Sequence, residues 1–215
     1  MKKRFKELKE KDYWFSILLL LGGQSFLYVL IKHFQFGFHT FDFAIDDMIP
    51  FVPPFVLIYN LFYPFLFVVF YLLYKKDKKA YDKAVIAGTL GYIICNIIFV
   101  IYPVEMIRPD ITNLQADPLT KLVLTITYNS DNPAINCFPS IHCLFCFQTV
   151  YALIRCKDMK KLPKILLSLF ALVIVTSIFF VKQHYVVDMI AAFIIVILCN
   201  LFIELIYDKI KKTKK

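Results

Sequence analysis

The sequence predicts an all-α fold, a polytopic membrane protein whose single domain, residues 1–215, is a bundle of six transmembrane helices. Hydrophobic residues make up 60% of the chain and the mean hydropathy is +0.66, which is too apolar for a soluble domain of 215 residues. The 25 Lys and Arg residues form short clusters between long apolar runs. A net charge of +9 distributed in this way indicates membrane topology, and we expect no nucleic-acid partner.

Six apolar segments are candidate spans, because a helix needs about 20 apolar residues to cross the hydrocarbon core. In chain order they are Trp14–Ile31, Phe51–Tyr74, Ala84–Tyr102, Ile141–Ile154, Ile165–Val181 and Tyr185–Tyr207. The first lacks the small-residue cleavage pattern of a signal peptide, so we expect it to be a true span. The fourth is short, and it reaches a spanning length only if it starts near Phe138 and tilts little.

Basic residues predict the orientation of these spans. The two tails and the connections 75–83 and 155–164 hold 21 of the 25 Lys and Arg residues. Cytoplasmic connections carry an excess of basic residues, so we expect both termini in the cytoplasm. The connections expected on the outer side are 32–50, 103–137 and 182–184, and the four remaining basic residues are Lys32, Arg108, Lys121 and Lys182.

Two of these outer connections have features of their own. In the stretch DPLTKLVLTITYN, Asp117 can cap a short helix that begins at Pro118 and repeats apolar residues at helical spacing. That helix lies either flat on the membrane surface or tucked over the bundle. The 32–50 connection carries His33, His39 and three Asp residues, which we interpret as a solvated loop rather than a metal site. The six Cys residues lie in or near apolar runs, so we expect neither disulfides nor a zinc site.

Three polar stretches interrupt the apolar pattern on the predicted outer side, at 102–110, 131–143 and 182–188. In the last of them, His184 and Asp188 are four residues apart at the start of a helix, so their side chains lie on one face. The carboxylate can hold one ring nitrogen protonated and leave a lone pair on the other, as a nucleophilic histidine requires. A purely structural His–Asp pair would give the same pattern.

The other two stretches supply groups that suit a phosphate. Pro139 and Ser140 precede a long apolar run, so the N–H groups of a helix N-terminus and the Ser140 hydroxyl would form an anion site. His142 is placed to exchange a proton there. The guanidinium of Arg108 fits phosphate oxygens, and Lys182 adds a second cation. Together these residues predict phosphoryl transfer through a histidine, and without paired carboxylates we expect no metal and no other cofactor.

The order of these motifs resembles the type-2 phosphatidic acid phosphatase superfamily. Its pattern is a Lys, six residues and Arg-Pro, then Pro-Ser-x-His, then Ser-Arg, five residues, His, three residues and Asp. The matching positions here are Arg108-Pro109, Pro139-Ser140-Ile141-His142, Ser177 and His184 with Asp188. Two family cations are absent, because Ile101 and Ile178 stand at their positions.

One branch of the family resembles this chain more closely. Its motifs are D-x-P-x-N-x-F-P-S-x-H and K-x-H-Y-x-x-D, and it includes inositol phosphorylceramide synthases and many bacterial members. The additional matches to this branch are Asp131, Pro133, Asn136, Lys182 and Tyr185. This resemblance leads us to expect a bacterial cytoplasmic membrane and catalytic motifs in 101–188. The distribution of basic residues leads us to expect the active site on the outer face of that membrane.

The resemblance also implies a role for each site residue. His184 would attack a lipid phosphate or diphosphate and form a phosphohistidine while Asp188 orients its ring. His142 would protonate the leaving oxygen and then activate the acceptor. The phosphoryl oxygens would be held by Arg108, Lys182 and Ser140. Supporting roles would fall to Pro139, Asn136, Asp131, Tyr185 and Ser177.

The acceptor of the phosphoryl group separates the alternative functions. With water as the acceptor the protein is a lipid phosphatase, which is the function we expect, and with an alcohol it is a lipid phosphotransferase. A third possibility is a non-catalytic membrane protein that binds anionic lipid, since two family cations are missing. Retention of both histidines and Asp188 favours catalysis, because binding alone needs cations more than it needs a nucleophile and an acid. The expected partners are a lipid phosphate and membrane lipids, and nothing in the sequence indicates an oligomeric state.

Overall fold

The computed structural model describes residues 12–35 and 37–213, and over these residues the chain is helical with no β-strand. We number the main helices α1 to α7. They are α1 (Asp12–Lys32), α2 (Phe55–Lys76), α3 (Lys78–Ile101), α4 (Pro118–Ser130), α5 (Ile141–Arg155), α6 (Lys161–Phe180) and α7 (Val186–Thr213). The predicted all-α membrane fold is therefore confirmed. The two tails predicted to be cytoplasmic include residues 1–11 and 214–215, and these residues lie outside the part of the chain that the structure describes.

In the part of the chain that the structure describes, five helices are long and apolar enough to cross a membrane, namely α1, α2, α3, α6 and α7. The fourth predicted span is also a helix, but α5 has only 15 residues, fewer than the 17–25 or so that a span needs. Most of its side chains are buried, because it packs against α3, α6 and α7. The bundle thus contains the six predicted helices, with the fourth enclosed by protein and shorter than the others.

The connection between α2 and α3 is much shorter than the predicted loop 75–83. Only Asp77 separates the two helices. Its carboxylate caps α3 by accepting the N–H of Ala80 at 3.0 Å, and it also accepts the N–H of Lys157 at 2.9 Å. The lysines that suggested a loop belong to helix ends, where Lys75 extends over the ring of Tyr71. Asp77 therefore joins the two basic connections at one end of the bundle, which we call the basic end.

Helix α4 begins as predicted, with Pro118 at its first position and Asp117 accepting the N–H of Thr120 at 3.0 Å. One face packs over the bundle, where Asn60 donates to the Thr127 hydroxyl at 2.9 Å. The apolar residues of its other face are exposed, and they are Leu119, Leu122 and Ile126. Of the two placements left open by the sequence, the buried face matches a helix tucked over the bundle, and the exposed apolar face is free to contact lipid.

The end of the bundle opposite Asp77 is covered by loops, and we call it the loop end. His39 pairs with the chain around Val104 through two backbone hydrogen bonds of 3.0 and 2.9 Å. The N–H of Cys137 in turn donates to the carbonyl of Val104 at 3.2 Å. These bonds join the loops after α1, α3 and α4 into one layer that surrounds the start of α7.

Candidate active site

His184 and Asp188 meet at the start of α7. Nδ1 of His184 lies 3.1 Å from Oδ2 of Asp188 and 2.9 Å from the carbonyl oxygen of Cys137. Both partners accept hydrogen bonds, so Nδ1 carries the proton and Nε2 keeps a lone pair. Asp188 is fully buried, and its Oδ2 also accepts the N–H of Tyr185 at 2.9 Å. The first turn of α7 thus fixes both the carboxylate and the tautomer of the ring.

His142 lies beside this pair in the first turn of α5. The centroids of the His142 and His184 rings are 5.8 Å apart, and the His142 ring packs against Phe62 at 4.4 Å. Ser140 caps α5, because its hydroxyl accepts the N–H of Cys143. The N–H of Ser140 donates to the carbonyl of Asp188 at 3.2 Å. The N-termini of α5 and α7 are therefore joined directly, and the two histidines face each other across the joint.

Both histidine rings line a cavity of about 300 Å³ between α1, α2, α4 and α5. The cavity has apolar and polar walls, and polar groups come from Gln24, Asn60, Thr127, Asp131, Asn136 and Gln183. Oδ1 of Asn136 and Nε2 of Gln183 are buried and have no hydrogen-bond partner among the described residues. Because unpaired buried polar atoms are costly, these two atoms are suited to contact a ligand in the cavity.

Arg108 reaches the edge of this site. Its guanidinium donates to Oδ2 of Asp131 at 2.5 Å and to Oε1 of Gln183 at 2.6 Å, and it lies over the ring of Tyr128. Its side chain is only 10% exposed. The predicted phosphate cation is thus connected to the histidine site through Gln183, the residue next to His184.

Asp131 is paired with a second cation as well. Its Oδ1 accepts from the ammonium of Lys32 at 2.7 Å and from the hydroxyl of Tyr28 at 2.6 Å. Burial raises the pKa of Asp131, but the nearby Lys32 and Arg108 outweigh it and hold that pKa below its usual value. The carboxylate is therefore ionised at neutral pH and bridges two cations on the cavity wall.

Lys182 is held away from the cavity wall. Its ammonium donates to the carbonyl oxygens of Asp46 at 2.8 Å and of Ile49 at 2.6 Å. The backbone at Lys182 is in the left-handed region, with φ of 49°. In return, the carboxylate of Asp46 accepts the N–H of Val186 at the start of α7 at 2.8 Å. The predicted second cation thus connects the loop after α1 to the turn that carries His184.

The supporting residues predicted from the sequence take different positions. Asn136 has φ of 66° and lines the cavity, where it donates to the carbonyl of Tyr28 at 3.3 Å. Tyr185 donates to the carbonyl of Glu105 at 3.3 Å, which anchors the loop layer, and Pro139 is buried beside Ser140. Ser177 does not join the site, because it is buried within α6 and donates to the carbonyl of Ile174 at 2.6 Å.

Sequence reasoning missed Gln183, Asn60 and Lys32 as neighbours of the site. A signal existed for each. Gln183 lies inside the polar stretch 182–188, Asn60 interrupts an apolar run, and Lys32 is one of four basic residues outside the basic clusters. Among the side chains that the structure describes, no three from His, Cys, Asp or Glu are grouped as metal ligands.

Comparison with known proteins identifies one similarity. A sequence profile described as the PAP2 superfamily matches residues 33–202, which include every site residue predicted from the sequence. No curated protein and no solved structure shows significant similarity to the chain.

Proposed function

Because the chain belongs to the PAP2 superfamily, we propose that it is a lipid phosphatase that hydrolyses a lipid phosphate or diphosphate through a phosphohistidine. Membership supports an activity of the phosphatase or phosphotransferase type, and the five long apolar helices mark an integral membrane protein. The observation that carries the proposal is the arrangement of His184, Asp188 and His142. One ring has a free Nε2 oriented by a carboxylate, and a second ring lies 5.8 Å away on the same cavity wall.

The first chemical step forms the phosphoenzyme. Nε2 of His184 attacks phosphorus while the bond from phosphorus to the leaving oxygen breaks. His142, which takes up a proton when the phosphate anion binds beside it, gives that proton to the leaving oxygen. The imidazole ring of His184 gains positive charge as the N–P bond forms. The buried Asp188 carboxylate stabilises that charge and keeps the ring in place, because it accepts the Nδ1 proton.

The second step regenerates the enzyme. His142, now without its proton, takes one from a water molecule in the cavity, and the oxygen of that water attacks phosphorus. The N–P bond breaks, the electron pair returns to Nε2 of His184, and inorganic phosphate leaves. Arg108 stabilises charge on the phosphoryl oxygens during both steps. Ser140 holds the starts of α5 and α7 together, so its contribution is to keep the two rings aligned.

Phosphate release from a panel of lipid phosphates and diphosphates, measured with purified protein in detergent, tests this proposal. We expect release to continue in EDTA, to be inhibited by vanadate and to be lost in His184→Ala. A matched control is His33→Ala, which removes an exposed histidine outside the cavity. Equal release from His184→Ala and the wild type, or loss in EDTA that Mg²⁺ restores, would refute the proposal.

A second candidate is transfer of the phosphoryl-bearing group to an alcohol, as in inositol phosphorylceramide synthases. The observation that favours it is the cavity, whose volume of about 300 Å³ is about ten times the ~30 Å³ that one water occupies in the liquid. Gln183 Nε2 can donate and Asn136 Oδ1 can accept, and together they match a hydroxyl group. If lipid alcohols or polyols added to the assay divert product from inorganic phosphate to a new ester, the alcohol is the acceptor.

A further inference from the structure

We infer that Lys32 is the second phosphate-binding cation of this site, supplied by α1 and coupled to Arg108 through Asp131. The inference rests on the proposed function, because it names a residue that holds the substrate phosphate. Lys32 lies just outside residues 33–202, which match the superfamily profile. The assignment therefore comes from the contacts of this chain.

The geometry of the cluster has the spacing of an anion site. Lys32 Nζ lies 2.7 Å from Oδ1 of Asp131, and Arg108 lies 2.5 Å from Oδ2 of the same carboxylate. The two oxygens of one anion thus bridge the two cations, which is the arrangement that two oxygens of a phosphoryl group would adopt. Asp131 itself lines the cavity that contains both histidines.

The charges of the cluster require both cations. The ionised Asp131 cancels one positive charge, so Arg108 with Asp131 alone would offer no net attraction to an anion. Adding Lys32 gives the cluster a net charge of +1. A phosphate monoester carries about −1.5 to −2 charges at neutral pH, and its oxygens would compete with Asp131 for the N–H groups of Lys32 and Arg108.

Lys32 is held in this position by α1. Its ammonium also donates to the carbonyl of Pro133 at 3.0 Å and lies 5.1 Å from the centre of the Tyr28 ring, one helical turn earlier. Only 15% of its side chain is exposed. A lysine that serves only as a membrane anchor would extend into the headgroup region, whereas Lys32 is directed inward at a carboxylate on the cavity wall.

Vanadate inhibition of Lys32→Met tests the inference, because vanadate probes the phosphate site without a lipid tail. In Lys32→Met we expect both KM and the vanadate concentration that gives half inhibition to rise about tenfold. A rise of this size corresponds to the loss of one charge-assisted hydrogen bond. Lys32→Arg should recover most of the affinity. The matched control is Lys121→Met, since Lys121 is exposed on α4, and it should stay within about twofold of the wild type, because exposed charges contribute little.

Asp131→Asn separates phosphate binding from a structural role. If Lys32 and Arg108 bind phosphate in competition with Asp131, this variant should be inhibited at a lower vanadate concentration than the wild type, opposite in sign to Lys32→Met. Unchanged inhibition of Lys32→Met would overturn the inference. If Lys32→Met and Asp131→Asn weakened inhibition by vanadate equally, the inference would also be overturned, because the cluster would then only stabilise the fold.

Stabilisation by vanadate in thermal unfolding of the purified protein distinguishes this inference from the proposed function. If vanadate stabilises the wild type but the protein releases no phosphate from any lipid, the proposed hydrolase activity is refuted. A smaller stabilisation of Lys32→Met by vanadate would in that case still support the phosphate site. Wild type that vanadate neither stabilises nor inhibits would refute both.

Discussion

At the scale of single residues, the chemistry depends on which nitrogen of His184 carries the proton. The Asp188 carboxylate and the Cys137 carbonyl can only accept, so together they select the Nδ1–H form and leave Nε2 free. In Asp188→Asn the negative charge that stabilises the positively charged ring is lost, and an amide N–H that donates to Nδ1 would oppose the tautomer that the Cys137 carbonyl favours. We expect this variant to fold and to lose about 10³-fold or more in kcat, by analogy with the equivalent change in serine proteases. Retention of more than about a tenth of wild-type kcat, with thermal unfolding unchanged, would contradict the role of Asp188.

Asp131 makes stability depend on pH. Its pKa is held below the usual value because Lys32 and Arg108 outweigh the effect of burial. A carboxyl group with a depressed pKa contributes stability that is fully present above its unfolded pKa of about 4 and is lost as pH falls through the lower folded value. We expect the difference in Tm between wild type and Asp131→Asn to be constant above about pH 5 and to shrink below about pH 4. A difference that does not change with pH would show that Asp131 is not ionised by its two partners.

Among the structural elements, the loop after α1 is joined to the start of α7 by hydrogen bonds of Lys182 and Asp46. Lys182→Ala and Asp46→Ala each remove a different hydrogen bond of this contact, because Lys182 donates to the Asp46 carbonyl and the Asp46 carboxylate accepts the N–H of Val186. If the two bonds together position His184, each variant should lower kcat about tenfold, and the double variant should lose less than the product of the two losses. Vanadate inhibition should stay unchanged in both variants, whereas direct contact of Lys182 with phosphate predicts weaker inhibition and a loss of about 10²-fold in kcat/KM. Asp47→Ala is the matched control, since Asp47 is an exposed neighbour of Asp46. Losses in kcat that are fully additive in free energy would show that the two bonds do not act together to position His184.

Local elements could be predicted because their signals lie close together in the chain. The start of α4 follows from Asp117 and Pro118, and the His184–Asp188 contact follows from a spacing of four residues. The start of α3 could not be predicted, because lysines at a helix end look the same in sequence as lysines in a loop. The contact between Lys32 and Asp131 joins residues 99 positions apart, so only the packing of α1 against the loop end creates it.

In the molecule as a whole, the two ends of the bundle differ in the residues and connections that they contain. The basic end contains the short connections around Asp77 and Lys157, and the loop end contains the site. From the positive-inside rule we expect the basic end to face the cytoplasm. A membrane-impermeant thiol reagent applied to intact cells should label Thr112→Cys and leave Asp158→Cys unlabelled, since both positions are exposed and the six native cysteines are buried. The reverse pattern would invert the topology.

The covalent intermediate at His184 is the central step of the proposed mechanism. Rapid quenching of the purified protein with a lipid carrying radioactive phosphate, in EDTA, tests this directly. We expect an acid-labile, base-stable label on the peptide that contains residues 182–188 in the wild type, and none in His184→Ala. His142→Ala should still be labelled by a substrate whose leaving group needs no proton. Equal labelling of His184→Ala and the wild type would show that His184 is not the nucleophile.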